Sequence, residues 1–198
     1  MKKRQASRDE TRQRILEAVR KLLSTESAPD LSMEAVARSA DVSRLTIYYQ
    51  FGSRAGLLEA LYDYLATRGH MQRVAEVFQE PGLPTALGKM VETFVGFWST
   101  DPTVMRRLRA MGVLDSEIGK GIRARDARRP HIARELLQRA GASRARRASV
   151  RNGEVAAVLG MLTSFETYDA LARAGHDKDE IVATLTRLAQ YVATRSLD

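Results

Sequence analysis

Cysteine is absent from the 198 residues. That excludes disulfides, thiolate metal sites and cysteine nucleophiles together, and it suits a reducing compartment. Proline is scarce, at five residues, no segment is low-complexity, and 44% of the chain is apolar, so a folded core is expected rather than wholesale disorder. The three histidines, His70, His131 and His176, have no metal-ligand spacing, and neither a glycine-rich phosphate loop nor a nucleophile motif occurs. An enzyme, a cofactor and a bound metal are therefore not expected. Long apolar runs are missing too. The longest, Val155 to Leu162, falls far short of the roughly 20 residues that cross a bilayer. The charged residues Lys2, Lys3, Arg4 and Arg8 are followed by no apolar stretch and do not read as a signal peptide. A soluble, cytoplasmic protein with no membrane partner is the expectation.

What the chain has in excess is positive charge, a formal net +8. Such a balance favours polyanion partners, nucleic acid among them. The charge is unevenly spread. Residues 1–54 carry 11 basic and 7 acidic side chains, and residues 102–151 carry 14 and 4. The stretches 55–101 and 152–198 are mildly acidic. Within the larger basic block, Arg106, Arg107 and Arg109 crowd one helix, Arg123, Arg125, Arg128 and Arg129 another, and Arg144, Arg146 and Arg147 fall in a loop. A solvated face is the default reading of that block; contact with an acidic ligand or with DNA is the alternative.

Periodicity predicts helices from end to end, with no strand. Ile15, Val19, Leu22 and Leu23 define the first, with Ser7 and Glu10 spaced as a capping box at its start. Short helices follow Ser32 and Ser43, and a longer one starts near Ser53. Glu80 to Pro84 is the strongest break. Beyond it come helices over about 85–99, through Leu108, and over about 116–140 with an interruption near Gly119–Gly121. Two long helices finish the chain, over about 151–174 and 178–195. Residues 1–54 are expected to form one domain with a basic N-terminal arm, and residues 55–198 a second.

The informative stretch is Leu31 to Leu58. Two short helices joined by Ala40-Asp41-Val42, the second opening at Ser43, have the length and grammar of a helix-turn-helix. Asp41 stands where the turn needs an unusual backbone angle, which aspartate tolerates better than most residues. The segment from Asp41 to Arg54, Asp-Val-Ser-Arg-Leu-Thr-Ile-Tyr-Tyr-Gln-Phe-Gly-Ser-Arg, followed by Gly56-Leu57-Leu58, resembles the signature of TetR-family repressors. That signature usually carries glycine at the turn, histidine where Gln50 stands and lysine where Arg54 stands. Gln50 can donate to a phosphate but does not titrate near neutrality. The resemblance covers roughly residues 10–60. It implies an all-α fold, an N-terminal three-helix DNA-binding domain followed by a larger helical bundle that binds ligand and dimerises.

Carried over residue by residue, the resemblance implies that Ser43, Arg44, Leu45 and Thr46 face base edges or adjacent sugars. It implies that Tyr48, Tyr49, Gln50 and Arg54 hold the phosphate backbone. Independent physics agrees, since the leading end of a recognition helix reaches the bases and tyrosine hydroxyls position without specifying. Bland readings stand beside these. Ser43 is a natural N-cap. Glu34 suits either cytosine N4 or the dipole of its own helix. Tyr48 and Tyr49 suit a core. Lys2, Lys3 and Arg4 are a minor-groove arm or a solvated tail.

For the C-terminal part, Phe94, Phe97, Trp98, Met105, Met111, Met161, Phe165 and Tyr168 are the candidates for an apolar ligand pocket, against the plainer reading of core packing. The resemblance implies a small-molecule inducer of unknown identity. It also implies a homodimer through about 151–174 and 178–195, with Ala156, Ala157 and Gly160 permitting close approach. A ligand-independent regulator, an activator and a sequence-independent architectural DNA binder remain as alternatives.

Overall fold

Helical periodicity is answered by helices alone: the computed structural model shows twelve α-helices and no strand among the described residues. Those are residues 2–25, 31–141 and 148–197, with side chains described for 6–25, 31–141 and 152–194. The proposed arm residues Lys2, Lys3 and Arg4 thus have no described side chains, and the loop arginines Arg144, Arg146 and Arg147 lie outside the described residues.

The chain forms two compact units. The first takes in residues 1–65 and 103–121, so it extends the expected 1–54 segment by most of one helix and by a second stretch of chain. It comprises α1 (Lys2–Ser24), α2 (Met33–Ala40), α3 (Arg44–Phe51), most of α4 (Arg54–Arg68), α7 (Pro102–Leu114) and the first part of α8 (Ser116–Asp126). Its core holds Ile15 and Val19 from α1, Val36 from α2, Ile47 from α3, Leu57 and Leu61 from α4, and Val104 and Leu108 from α7. Arg107 fastens α7 to the end of α1 by donating to the Leu23 carbonyl at 3.3 Å. The capping box read at Ser7 is not a helix start. α1 already runs from Lys2, and the Ser7 carbonyl accepts from the Thr11 hydroxyl at 2.9 Å. No glycine or proline stands before Ser7 to stop the helix.

The second unit takes in residues 66–102 and 122–198. After a left-handed His70, a 3₁₀ turn (Met71–Arg73) and α5 (Val74–Val77) precede α6 (Leu83–Thr100). Lys89 on α6 meets Glu76 at 2.9 Å and Arg73 meets Glu92 at 3.3 Å, tying this turn to α6. The Lys89 ammonium holds the Glu76 carboxyl below its usual range. α8 (Ser116–Asp126) and α9 (Arg128–Ala140) were expected as one helix interrupted at Gly119–Gly121; the break falls instead at Ala127. Pro130, third residue of α9, would clash with the carbonyl four residues back, that of Asp126, so the helix cannot run through.

The segment expected as a single helix over 151–174 is also two: α10 (Ala148–Leu162) and α11 (Phe165–Arg173). Ser164 caps α11 by accepting from the Thr167 amide at 3.1 Å. That leaves the Thr163 carbonyl without its helical partner, and the Trp98 indole N–H donates to it at 3.0 Å. α12 (Lys178–Leu197) opens on a reciprocal cap, in which Asp177 accepts from the Glu180 amide and Glu180 from the Asp177 amide. Ala156 and Gly160 serve a different contact from the one expected. Ala156 is fully buried in the chain's own core, and a Cβ on Gly160 would stand 3.0 Å from Pro130 of α9. Close approach is needed there between α9 and α10 of one chain.

Several arginines of the basic block fasten the fold rather than coat it. Arg129, buried at 6% exposure, pairs with Asp126 at 2.8 Å and donates to the Gly160 carbonyl. Arg139 donates to the Phe78 carbonyl at 2.8 Å. The solvated-face reading fails for Arg129, which is buried, and for Arg107, which is half-buried, whereas Arg139 reaches its distant carbonyl from an exposed position.

Candidate nucleic-acid interface

An isolated helix of eight residues does not hold itself together in water. α3 is held from outside. Ser43 caps it, its Oγ accepting from the Thr46 amide at 3.0 Å and lying 2.8 Å from the Thr46 hydroxyl. Ile47, fully buried, is its one core side chain. Gly52 ends it at φ 75, and its amide donates to the Tyr48 carbonyl at 2.8 Å. The turn before it behaves as the sequence predicts: Asp41 sits at φ 51, ψ 56, and the Val42 amide returns to the Ala37 carbonyl at 3.0 Å.

With Ile47 inward, Thr46, Gln50 and Phe51 are half-buried and the remaining residues of α3 face out. Leu45 is 78% exposed and Tyr49 74%. Tyr48 is also exposed, so neither tyrosine is a core residue. Arg44, first residue of α3, is half-exposed and pairs with Glu34 of α2. Neither reading of Glu34, base contact or helix dipole, foresaw that partner. Arg54, first residue of α4, lies 3.6 Å from Asp115, in the turn between α7 and α8. The other oxygen of that carboxylate accepts from the Glu117 and Ile118 amides and so caps α8.

Sequence reasoning missed a contribution from α1. The Arg8 guanidinium lies over the Tyr49 ring at 5.3 Å, and that of Arg12 over the Phe51 ring at 4.4 Å. Arg12 also donates to the Gln50 carbonyl at 3.1 Å, and the Gln50 amide reaches the Arg8 carbonyl at 3.4 Å. Two cations therefore flank the trailing end of α3. The i, i+4 spacing of Arg8 and Arg12 was the available signal, since it puts both on one helix face.

Gly56 fixes the corner between α3 and α4. A Cβ there would fall 2.2 Å from the Phe51 carbonyl oxygen. That oxygen belongs to the backbone and cannot swing aside. Gly56→Ala is therefore expected to destabilise the first unit by about 1–3 kcal/mol, read as a lower urea midpoint. An unchanged midpoint would show that the corner relaxes freely.

The pocket candidates are only partly brought together. Phe94, Phe97, Trp98, Phe165 and Tyr168 form one buried aromatic cluster in the second unit, with Phe97 and Trp98 centroids 4.4 Å apart and Phe165 edge-on to Trp98 at 5.6 Å. Met105 and Met111 belong to the first unit, and Met161 is exposed. A cleft of about 120 Å³ between Gly82, Leu136 and Arg139 is lined by none of the eight. Among the described residues no group of three or more His, Asp or Glu could hold a metal ion, and no helix is long and apolar enough to cross a membrane.

The family model for bacterial regulatory proteins of the tetR family matches residues 15–61, the stretch from α1 into α4. Residues 15–61 resemble the N-terminal region of tetR-family regulators. The HTH-type transcriptional regulator AlkX of Mycobacterium tuberculosis is 44% identical over 64 residues. That match covers 32% of this chain and only 30% of the relative, so the likeness to AlkX spans about a third of each. The likeness in fold runs further. A TetR-like transcriptional regulator from Rhodococcus sp. RHA1 superposes with a TM-score of 0.66 at 22% identity, over 94% of this chain and 95% of that one. The TetR-like regulator LfrR from Mycobacterium smegmatis, solved in complex with proflavine, gives 0.54 at 21% identity over 93% and 96%. The tetR fold thus extends through the helical C-terminal part.

Proposed function

We propose that the chain is a cytoplasmic, sequence-specific transcription repressor that binds operator DNA as a homodimer and is released by a small molecule. The observation that carries this reading is the division of α3, with Ile47 inside and Arg44, Leu45, Tyr48 and Tyr49 outside. A helix so divided can lie in a major groove while one side stays packed. Ser43 and Thr46, engaged with each other at the cap, lie at the leading end beside Arg44 and Leu45. Arg44 would fork onto guanine and Leu45 would meet a thymine methyl. Tyr48, Tyr49, Gln50 and Arg54 would hold phosphates, with Arg8 and Arg12 adding charge at the same edge. Residues 1–54 do the reading; residues 55–198 supply dimer contacts and ligand response.

Arg54→Ala is expected to weaken binding to all duplexes alike and to reduce the slope of log K against log salt by about 1. Titrations at several salt concentrations check this; a loss confined to one sequence would contradict the phosphate role.

Support for the dimer comes from α10 and α12, which expose Met161, Leu188 and Tyr191. Leu188 and Tyr191 are three residues apart, on one face of α12. Two heads on one dimer suit half-sites about one helical turn apart. Support for ligand release comes from the aromatic cluster around Trp98 and from the proflavine complex of LfrR. A small molecule with an aromatic body would have to bind the DNA-incompetent state more tightly, because equal affinity shifts nothing. Selection of bound duplexes from a random library tests the reading. An inverted repeat preferred by about 10³ or more is expected; recovery of unselected sequences would overturn it.

A further inference from the structure

The pair between Glu34 and Arg44 links α2 to α3 on the exposed face assigned to DNA. Its side chains are 49% and 55% exposed, so it adds little to stability. Its direction is informative. Arg38 stands one turn along α2 from Glu34, at the spacing that favours a helical ion pair, yet the carboxylate meets Arg44. A carboxylate on a DNA-facing surface also repels phosphates, so it is costly there unless it serves base reading.

We propose that Glu34 is a specificity-determining positioning residue: it holds the Arg44 guanidinium for guanine and denies it to phosphate. The inference rests on the DNA-reading proposal above. A guanidinium has five N–H donors in a rigid fork. With part of that fork engaged by the Glu34 carboxylate, the remaining N–H groups are oriented and can meet guanine O6 and N7 together. Freed of Glu34, Arg44 is a long, mobile cation that pairs as well with a phosphate of any sequence. Glu34 therefore lowers sequence-independent affinity and sharpens preference at one base pair of each half-site. The negative charge acts mostly on the wrong complexes, which is the way a discriminating interface raises a ratio of affinities.

The test uses the full chain as wild type, Glu34→Gln, Arg44→Ala and the double variant. Each is titrated against the library-selected duplex and a scrambled duplex at several salt concentrations. Glu34→Gln is near-isosteric at an exposed position, and circular dichroism confirms its fold. It is expected to lower the specificity ratio by about tenfold, chiefly by tightening binding to the scrambled duplex. It should also steepen the salt slope and relax the selected preference at one position per half-site. In the Arg44→Ala background the same change should have no effect on that preference. An unchanged ratio and preference profile for Glu34→Gln would overturn this inference alone, as would an effect that persists undiminished without Arg44. A wild-type chain that enriches no sequence would remove the DNA-reading proposal and this inference with it.

Discussion

Leu188→Glu is expected to convert the protein to a folded monomer whose affinity for its selected duplex falls by about 10²–10⁴. The size follows from linkage. Once one head is bound, a dimer presents the second at high effective concentration, and a monomer forfeits that without losing a single DNA contact. The position is chosen from exposure: Leu188 is 43% exposed, while Ile181, Leu185, Ala189 and Ala193 form the buried edge of α12. A carboxylate at Leu188 therefore reaches solvent in the single chain but would be stranded in an apolar interface. Sedimentation reads the assembly and circular dichroism the fold. A variant that remains dimeric with unchanged affinity would move the interface elsewhere.

Trp98→Ala carries the largest expected loss of stability, about 3–5 kcal/mol. The indole is 1% exposed and packs against Phe97 and Phe165. Its N–H is also the partner of the Thr163 carbonyl at the break between α10 and α11. Alanine opens a cavity among aromatic rings and leaves that carbonyl unsatisfied, and an orphaned buried acceptor costs about 1–3 kcal/mol in its own right. Trp98 is the chain's one tryptophan, so unfolding is followed by circular dichroism rather than by emission. A urea midpoint close to wild type would show that the cluster collapses around the gap and that the break between α10 and α11 needs no indole.

The N-terminal domain was legible because local chemistry decides it. Ser32, Ser43 and Ser53 each cap the helix that follows, and Asp41 and Gly52 take positive φ where the chain must turn. Such signals act within four residues and can be read from sequence. What was not legible depends on contacts between distant segments. At residue 163 the one local sign of a break is the cap residue Ser164, and the N–H that donates to the freed Thr163 carbonyl comes from Trp98, 65 residues away. Gly160 read as a place for another subunit because the sequence does not show that Pro130 packs there. Arg107 and Arg129 read as a solvated face because the distant carbonyls they reach leave no trace in a charge pattern. The pairing of Arg44 with Glu34 was hidden for a related reason. Each residue was assigned a separate partner, and only the turn at Asp41 brings α2 and α3 close enough to join them.

The absence of cysteine gives a direct test of whether α3 meets DNA. Leu45→Cys and Tyr49→Cys each place a single thiol at a strongly exposed position of α3, and His176→Cys places one in the exposed turn before α12. Alkylation by a maleimide is timed with and without the library-selected duplex. The duplex is expected to slow modification at positions 45 and 49 by tenfold or more, on the order of a contact worth at least 1.4 kcal/mol, while position 176 reacts at its free rate. Equal rates with and without DNA at positions 45 and 49, in chains that demonstrably bind the duplex, would contradict the assignment of α3 as the reading element.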